Sequence, residues 1–324
     1  MPPSWGEILR EINQKTKLKE IVNPFDAVRR EYLEKLYDYT KRNTIIYTSK
    51  WTQYDPKLTP QLIQICDEDI QGFMEAIYGL KGTELDLILH SPGGDPGATE
   101  ALVQYLRNKF EHIRVIIPHA AMSAATMLAC AADEIIMGKH SFIGPVDPQL
   151  ILQTPLGFRS LPAGAILEQF ERAKEEVQKN PQAAVAWYPI LQYYGPSLLV
   201  EANHAIELSK ELVERWLKDY MFKGDPNSKE KASKIAKELS EHKTHKSHGR
   251  HIGIKKAEEI GLKVKKLEDD QRLQDLVLSV FHAASITFDN TLAVKIIENH
   301  EGRAFIKSLS PPPLAPVKFP PAPE

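Results

Sequence analysis

Two short apolar runs, Leu85 to His90 and Ile113 to Pro118, each end in a cluster of small residues that leads into a helical stretch. The first opens into Ser91-Pro92-Gly93-Gly94 and the second into Ala120-Ala121-Met122-Ser123-Ala124-Ala125-Thr126. Runs this short and this apolar read as strands covered on both faces, which is the environment of a parallel sheet. Parallel neighbours need a crossover between them, and the sequence supplies a helix. Asp95 suits its cap and Pro96 its first position, while Ala98, Ala101, Leu102, Tyr105, Leu106 and Phe110 form an apolar stripe. The second helical stretch, from about Met122 to Ala132, is almost wholly small or apolar, as expected of a helix pressed against a sheet.

The pattern extends in both directions. Ile45 to Thr48 begins the alternating part, and Asp67 to Leu80 reads as an amphipathic helix leading into the strand at Leu85. Repeating strand–helix units with right-handed crossovers predict an α/β fold with a mostly parallel sheet. Helices dominate from Pro162 onward. Ahead of the sheet, Trp5 to Gln14 and Pro24 to Arg42 are helical, with Phe25, Val28, Tyr32, Leu33, Leu36 and Tyr37 near a 3.6-residue spacing and Asn23 as a cap. Residues 1–42 are therefore expected to form a helical N-terminal arm for packing or oligomerisation. Residues 309–324 are too rich in proline to enter a core and are expected to be a disordered tail.

Composition removes several function classes. A formal net charge of -2 on 324 residues gives no field to attract nucleic acid or an anionic membrane. Cys66 and Cys130 sit far apart among apolar neighbours and read as free thiols, which suits a cytoplasmic protein. The N-terminus is charged and lacks an apolar leader. Two stretches without formal charge, Val115 to Ala132 and Asn180 to Val200, are broken by proline, histidine or glycine, so no transmembrane segment is expected. Neither a P-loop nor a dinucleotide fingerprint is present, and no cofactor is expected. His242, His245, His248 and His251 recur every third residue, a spacing that fits no common zinc arrangement. They are read as a lid or subunit contact, and no metal is assigned.

The two small-residue corners carry the chemistry. Glycines lack a Cβ, so the backbone N–H groups at Gly93 and Gly94 can approach a ligand closely. A serine at the start of a helix stands beside unpaired N–H groups and the positive end of the helix dipole. Together they can supply a nucleophile and donors for an acyl oxyanion. Taken singly, Ser123 could be a capping serine and the glycines a tight turn.

Strand, SPGG, helix, strand, A-x-S-A-A, helix, Ala131-Ala132-Asp133-Glu134-Ile135 and a turn at Gly144-Pro145 resemble the Clp protease and crotonase superfamily. Met137 to Leu150, MGKHSFIGPVDPQL, and Gly253 to Val264, GIKKAEEIGLKV, are similar to the serine dehydrogenase proteinase family of the signal peptide peptidase A clan. The resemblance covers residues 43–308, with its specific motifs between 85 and 150. It implies Clp/crotonase-like repeated strand-strand-helix units in one peptidase domain over 43–308, with a helical, lid-like part at about 161–260. It also implies a serine-type endopeptidase acting on a peptide or protein substrate, and a homo-oligomer. On this reading Ser123 is the nucleophile and Gly94 and Ala124 are the oxyanion donors.

Clan members of the signal peptide peptidase kind use a lysine as base, and Lys174 lies at the matching separation. Its helix carries Ile166, Phe170, Ala173 and Val177, which puts Lys174 at the edge of the buried face, where desolvation would favour the neutral amine. The alternative is a surface lysine paired with Glu171. His140 is the rival base, by resemblance to Clp proteases, with Asp147 of GPVDP as an orienting group or as an Asx-turn at the loop rim. Most aromatic residues of Asn180 to Val200 are expected to pack a core, and a hydrophobic specificity pocket would be sought in that segment and in the neighbourhood of Phe142. Two other readings of the fold stand beside the peptidase: a crotonase-like acyl-CoA enzyme, which needs a carboxylate acid/base pair, and a non-catalytic oligomeric scaffold.

Overall fold

The computed structural model describes residues 3–18, 21–154 and 157–309. Seven strands form the main sheet: β1 (Asn43–Ser49), β2 (Glu84–His90), β3 (His112–Ile117), β4 (Glu134–Met137), β5 (Val264–Lys266), β6 (Ala293–Asn299) and β7 (Ala304–Ser308). Their order is β5-β4-β3-β2-β1-β6-β7. The first five in that order run parallel, and β6 and β7 are added antiparallel at the far edge.

Strand residues alternate between two cores, as a period of two requires. Ile45, Tyr47, Leu85, Leu87, Leu89, Val115, Ile117, Ile135 and Ile297 belong to one. Ile46, Ile88, Ile116, Ile136 and Ile296 belong to the other. The first core is covered by helices Asp69–Ile77, Pro96–Lys109, Ala124–Cys130 and Ile254–Ile260, among others. The second is covered by Pro24–Thr40 and Gln271–Asn290. Burial on both faces explains why the strands carry continuous apolar runs rather than a polar alternation.

The N-terminal helices pack onto this body. Leu33 and Leu36 are fully buried against Leu276, Val277 and Val280, and Ile8 and Ile12 of helix Trp5–Thr16 meet Val28, Ala283 and Ile286. Arg29 is also fully buried there, bound to Glu298 of β6 and to Asp26. A hairpin of Gln149–Thr154 and Gly157–Pro162 rises after the turn at Gly144-Pro145 and leads into helix Ala163–Lys179. Within Asn180 to Val200 the chain forms a short turn and helix Ala184–Leu191, whose Val185 and Tyr188 are exposed. The proline-rich stretch 310–324 lies outside the described residues, and no helix among the described residues is long and apolar enough to cross a membrane.

Candidate active site

Adjacent parallel strands β2 and β3 deliver their C-terminal ends side by side, and this brings the two small-residue corners together. Ser91 donates its N–H to Ala120 O at 3.2 Å, and Met122 donates to Ser91 O at 3.0 Å. Thr126 Oγ1 ties the second corner down by donating to Ala121 O at 2.8 Å and accepting from Gly144 N at 3.0 Å.

Gly93 lies directly against the serine turn. Its φ is +91°, and a Cβ there would stand 2.5 Å from Met122 O, 2.7 Å from Ala124 N and 2.8 Å from Ser123 Cβ. Gly94 is clamped from the other side by Ile65, whose N–H donates to Gly93 O at 2.8 Å and whose carbonyl accepts from Asp95 N at 3.0 Å. A Cβ on Gly94 would stand 2.3 to 2.9 Å from the Ile65 backbone. Both positions therefore need glycine, for conformation at one and for close approach at the other.

Ser123 has φ 52° and ψ -123°, a backbone conformation that side chains seldom adopt, just ahead of helix Ala124–Cys130. Such a conformation costs about 1 to 3 kcal/mol and persists only where the surroundings impose it, most often at functional sites. Its side chain caps nothing. Among the described residues, the N–H groups of Gly94 and Ala124 donate no hydrogen bond, although both lie in a tightly bonded region. Gly94, Ser123 and Ala124 all line one cleft of about 510 Å³. Its walls combine apolar Met127, Val146, Leu150 and Ile151 with polar Gln64, Gln149 and Ser160, and helix Leu198–Trp216 adds the small Ala205 and Ser209. The expected pocket sites are not among its lining residues. Phe142 packs instead against His119 and His251, and Asn180 to Val200 lies apart from the cleft.

Lys174, the base expected from sequence, is not among the residues lining the cleft. Helix Ala163–Lys179 buries Ala163, Ile166 and Ala173 but turns Lys174 outward, with its side chain 54% exposed and its Nζ 3.2 Å from Glu171 Oε2. An amine so placed is solvated and ion-paired. His140 is also exposed, with Nε2 against Pro118 O at 2.8 Å, and it does not line the cleft.

A different histidine does line it. His248 shares the cleft with Ser123, and its Nδ1 lies 2.8 Å from Oδ1 of Asp147. Asp147 is buried, and its second oxygen receives Nδ1 of His242 at 3.2 Å and Nε2 of Gln149 at 3.2 Å. A carboxylate only accepts, so Nδ1 of His248 is the donor in this bond and Nε2 is the ring nitrogen left for another partner. In the sequence His248 reads as part of a lid or subunit contact, and the signals that bear on it are the histidine repeat and the aspartate of GPVDP. The four histidines do not converge on a common point. His245 is buried with Nε2 2.7 Å from Glu238 O, and His251 stacks on Phe142 at 3.6 Å. Among the described residues the cleft's carboxylate is Asp95, whose Oδ1 is taken by Ala98 N at 2.8 Å as a helix cap. That arrangement offers no acid/base pair of the crotonase kind.

A doubly covered, mostly parallel sheet, with a serine and one free backbone donor at one strand-to-helix corner and a second donor at the neighbouring corner, is the arrangement of the ClpP-like class of α/β proteins. Within that class the chain matches the ClpP-like SDH-type serine proteinases over residues 61–278, well over half its length, and it belongs to that family. It is similar to two uncharacterised proteins of Methanocaldococcus jannaschii. One is 35% identical over 199 residues, covering 61% of this chain and 58% of the relative. The other is 35% identical over 192 residues, covering 56% and 64%. The match thus spans about three fifths of either relative's length. Among solved structures, a mutant of a membrane-bound stomatin-specific protease aligns at 15% identity and a TM-score of 0.37, covering 62% of this chain and 74% of its own. That likeness is too loose to bear on function.

Proposed function

We propose that this chain is a serine peptidase that cleaves peptide bonds through an acyl-enzyme on Ser123, with His248 as general base and Asp147 as its orienting partner. As Ser123 Oγ attacks the scissile carbonyl, its proton passes to Nε2 of His248. The carbonyl oxygen, now negative, takes hydrogen bonds from the N–H groups of Gly94 and Ala124. Collapse expels the amine, which leaves with the proton held by His248. Water then attacks the acyl carbonyl and gives a proton to the same nitrogen; collapse breaks the bond to Ser123 Oγ, which takes that proton back as the acid leaves. Asp147 holds the ring in place and stabilises the imidazolium. Each oxyanion donor is worth on the order of 2.7 to 4 kcal/mol and the base about 10²- to 10⁴-fold in rate.

The supporting observation is the meeting of a conformationally constrained serine, two unpaired amides and a carboxylate-held imidazole in one cleft. The apolar part of that cleft suits uncharged side chains of a peptide substrate. In this reading residues 43–308 are the catalytic unit, and a homo-oligomer in the cytoplasm is the proposed setting.

The test is labelling by a fluorophosphonate. Wild type should be modified at Ser123, and Ser123→Ala should not be. His248→Gln should slow labelling about 100-fold or more, while Lys174→Ala and His140→Ala leave the rate unchanged. Equal labelling of wild type and Ser123→Ala, or none in either, would sink the peptidase reading. Loss in Lys174→Ala with retention in His248→Gln would restore the lysine as base.

A further inference from the structure

Lys295, in the middle of β6, is fully buried and takes no part in the chemistry above. Its Nζ donates to Asp69 Oδ1 at 2.6 Å and to the backbone carbonyl of Gln64 at 2.7 Å, and it lies 3.9 Å from Cys66 Sγ. Asp69, on helix Asp69–Ile77, is equally buried; its other oxygen accepts from Tyr47 Oη at 2.7 Å and from Cys66 N at 3.1 Å. The Tyr47 hydroxyl also meets the Ser91 side chain, and Ser91 Oγ accepts from Gly93 N at 3.2 Å.

These bonds converge on one short segment. Gln64–Ile65–Cys66 follows the single-turn helix Pro60–Ile63 and is held by the charged pair at both of its ends, through Gln64 O and Cys66 N. Its middle residue, Ile65, is the clamp on Gly93 and Asp95, and it lies so close to Gly94 that no side chain fits between them. Gln64 itself lines the cleft.

Resting on the assignment of Gly94 as an oxyanion donor, we infer that Lys295 and Asp69 are positioning residues: they fix the Gln64–Cys66 strap, and the strap fixes the Gly94 N–H. A buried ion pair is a poor way to hold two elements together if stability is all that is needed, because apolar residues of like volume do as well or better. What the pair adds is direction. Lysine donates to a main-chain carbonyl and aspartate accepts a main-chain N–H, which apolar side chains cannot do. An oxyanion donor works only within a few tenths of an ångström of its proper place. A strap left to drift would therefore lower the rate of the chemical step while leaving the rest of the cleft to bind.

The experiment uses the full chain and a fluorophosphonate, separating the maximal inactivation rate from the half-saturating probe concentration. The variant Lys295→Met/Asp69→Asn removes both charges, so neither is left stranded. Its maximal rate should fall about 10- to 100-fold, with half-saturation changed less than about threefold. The control is Arg29→Met/Glu298→Gln, which removes the buried pair on the opposite face of β6. It should lose stability but keep the wild-type maximal rate in its folded fraction. Tyr47→Phe, which keeps its shape and removes only the hydroxyl between Asp69 and Ser91, should lose about 3- to 10-fold and serves if the double variant does not fold. Wild-type maximal rates in the Lys295 and Tyr47 variants, or an equal fall in the control, would overturn the inference and leave the peptidase reading intact. A wild type unlabelled at Ser123 would overturn both.

Discussion

Gly94→Ala is the sharpest single perturbation of the proposed oxyanion hole, because the size of its effect follows from one contact. The new methyl would stand 2.3 Å from Ile65 O and 2.4 Å from Ile65 N, both backbone atoms. Ordinary contact begins near 3.4 Å, so the two segments must part by about 1 Å, and no flexible side chain can absorb the shift. Overpacking of this kind costs about 1 to 3 kcal/mol of stability. The same displacement carries the Gly94 N–H away from the developing oxyanion and removes most of one donor, about 2.7 to 4 kcal/mol or 10²- to 10³-fold in rate. Fluorophosphonate labelling of the folded protein, with thermal unfolding followed in parallel, reads the two effects separately. Expected are a melting point lowered by a few degrees, by about 2 to 8 °C for that loss, and a labelling rate lowered at least 100-fold. A labelling rate within about threefold of wild type, in protein that has lost stability, would refute the reasoning: Gly94 would then be a packing glycine only.

Two further expectations concern the body of the protein. His90 is buried between Trp51, His119 and Phe281, and burial, with His119 beside it, lowers its pKa from the ordinary value of 6.5 to about 3. Between those values the unfolded chain holds the proton and the folded chain does not, so stability falls as pH drops below about 6.5 and the loss levels off below about 3. From pH 6.5 to pH 4.5 the change from His90 alone is about 2 kcal/mol. His119 and His282, also lowered by burial, act in the same direction. Urea midpoints at the two pH values measure the slope, and an unchanged slope in His90→Gln would assign it elsewhere. Leu33→Ala, on helix Pro24–Thr40, should cost about 2 to 5 kcal/mol if that helix belongs to the second core; a loss below about 0.5 kcal/mol would return it to the status of an appended arm.

The local elements were legible because local rules make them. The strand expected at Leu85 to His90 is found as Glu84–His90, and the helix after SPGG runs Pro96–Lys109 with Asp95 capping it. The serine corner reads the same way: helix Ala124–Cys130 begins directly after Ser123. Other features were invisible for equally physical reasons. Lys174 sits at the edge of an apolar stripe, but a stripe does not say how much of itself will be covered, and this helix buries little of its length. The apolar residues of Asn180 to Val200 were assigned mostly to a core, yet Val185 and Tyr188 face solvent.

What the chain settles by itself is therefore the part governed by neighbours in sequence: strands, caps, the two glycine and serine corners, and so the doubly covered parallel sheet. Which imidazole shares a cleft with Ser123 was decided by tertiary structure alone. Asp147 comes from a turn beside the sheet and His248 from a loop between helices His242–His245 and Ile254–Ile260, and only folding sets them 2.8 Å apart. The same holds for Lys295, a charged residue in an apolar strand, whose use became visible only once Asp69 and the carbonyl of Gln64 were beside it. Backbone conformation is set over a few residues, whereas the pairing of charges and protons depends on which distant surfaces pack together.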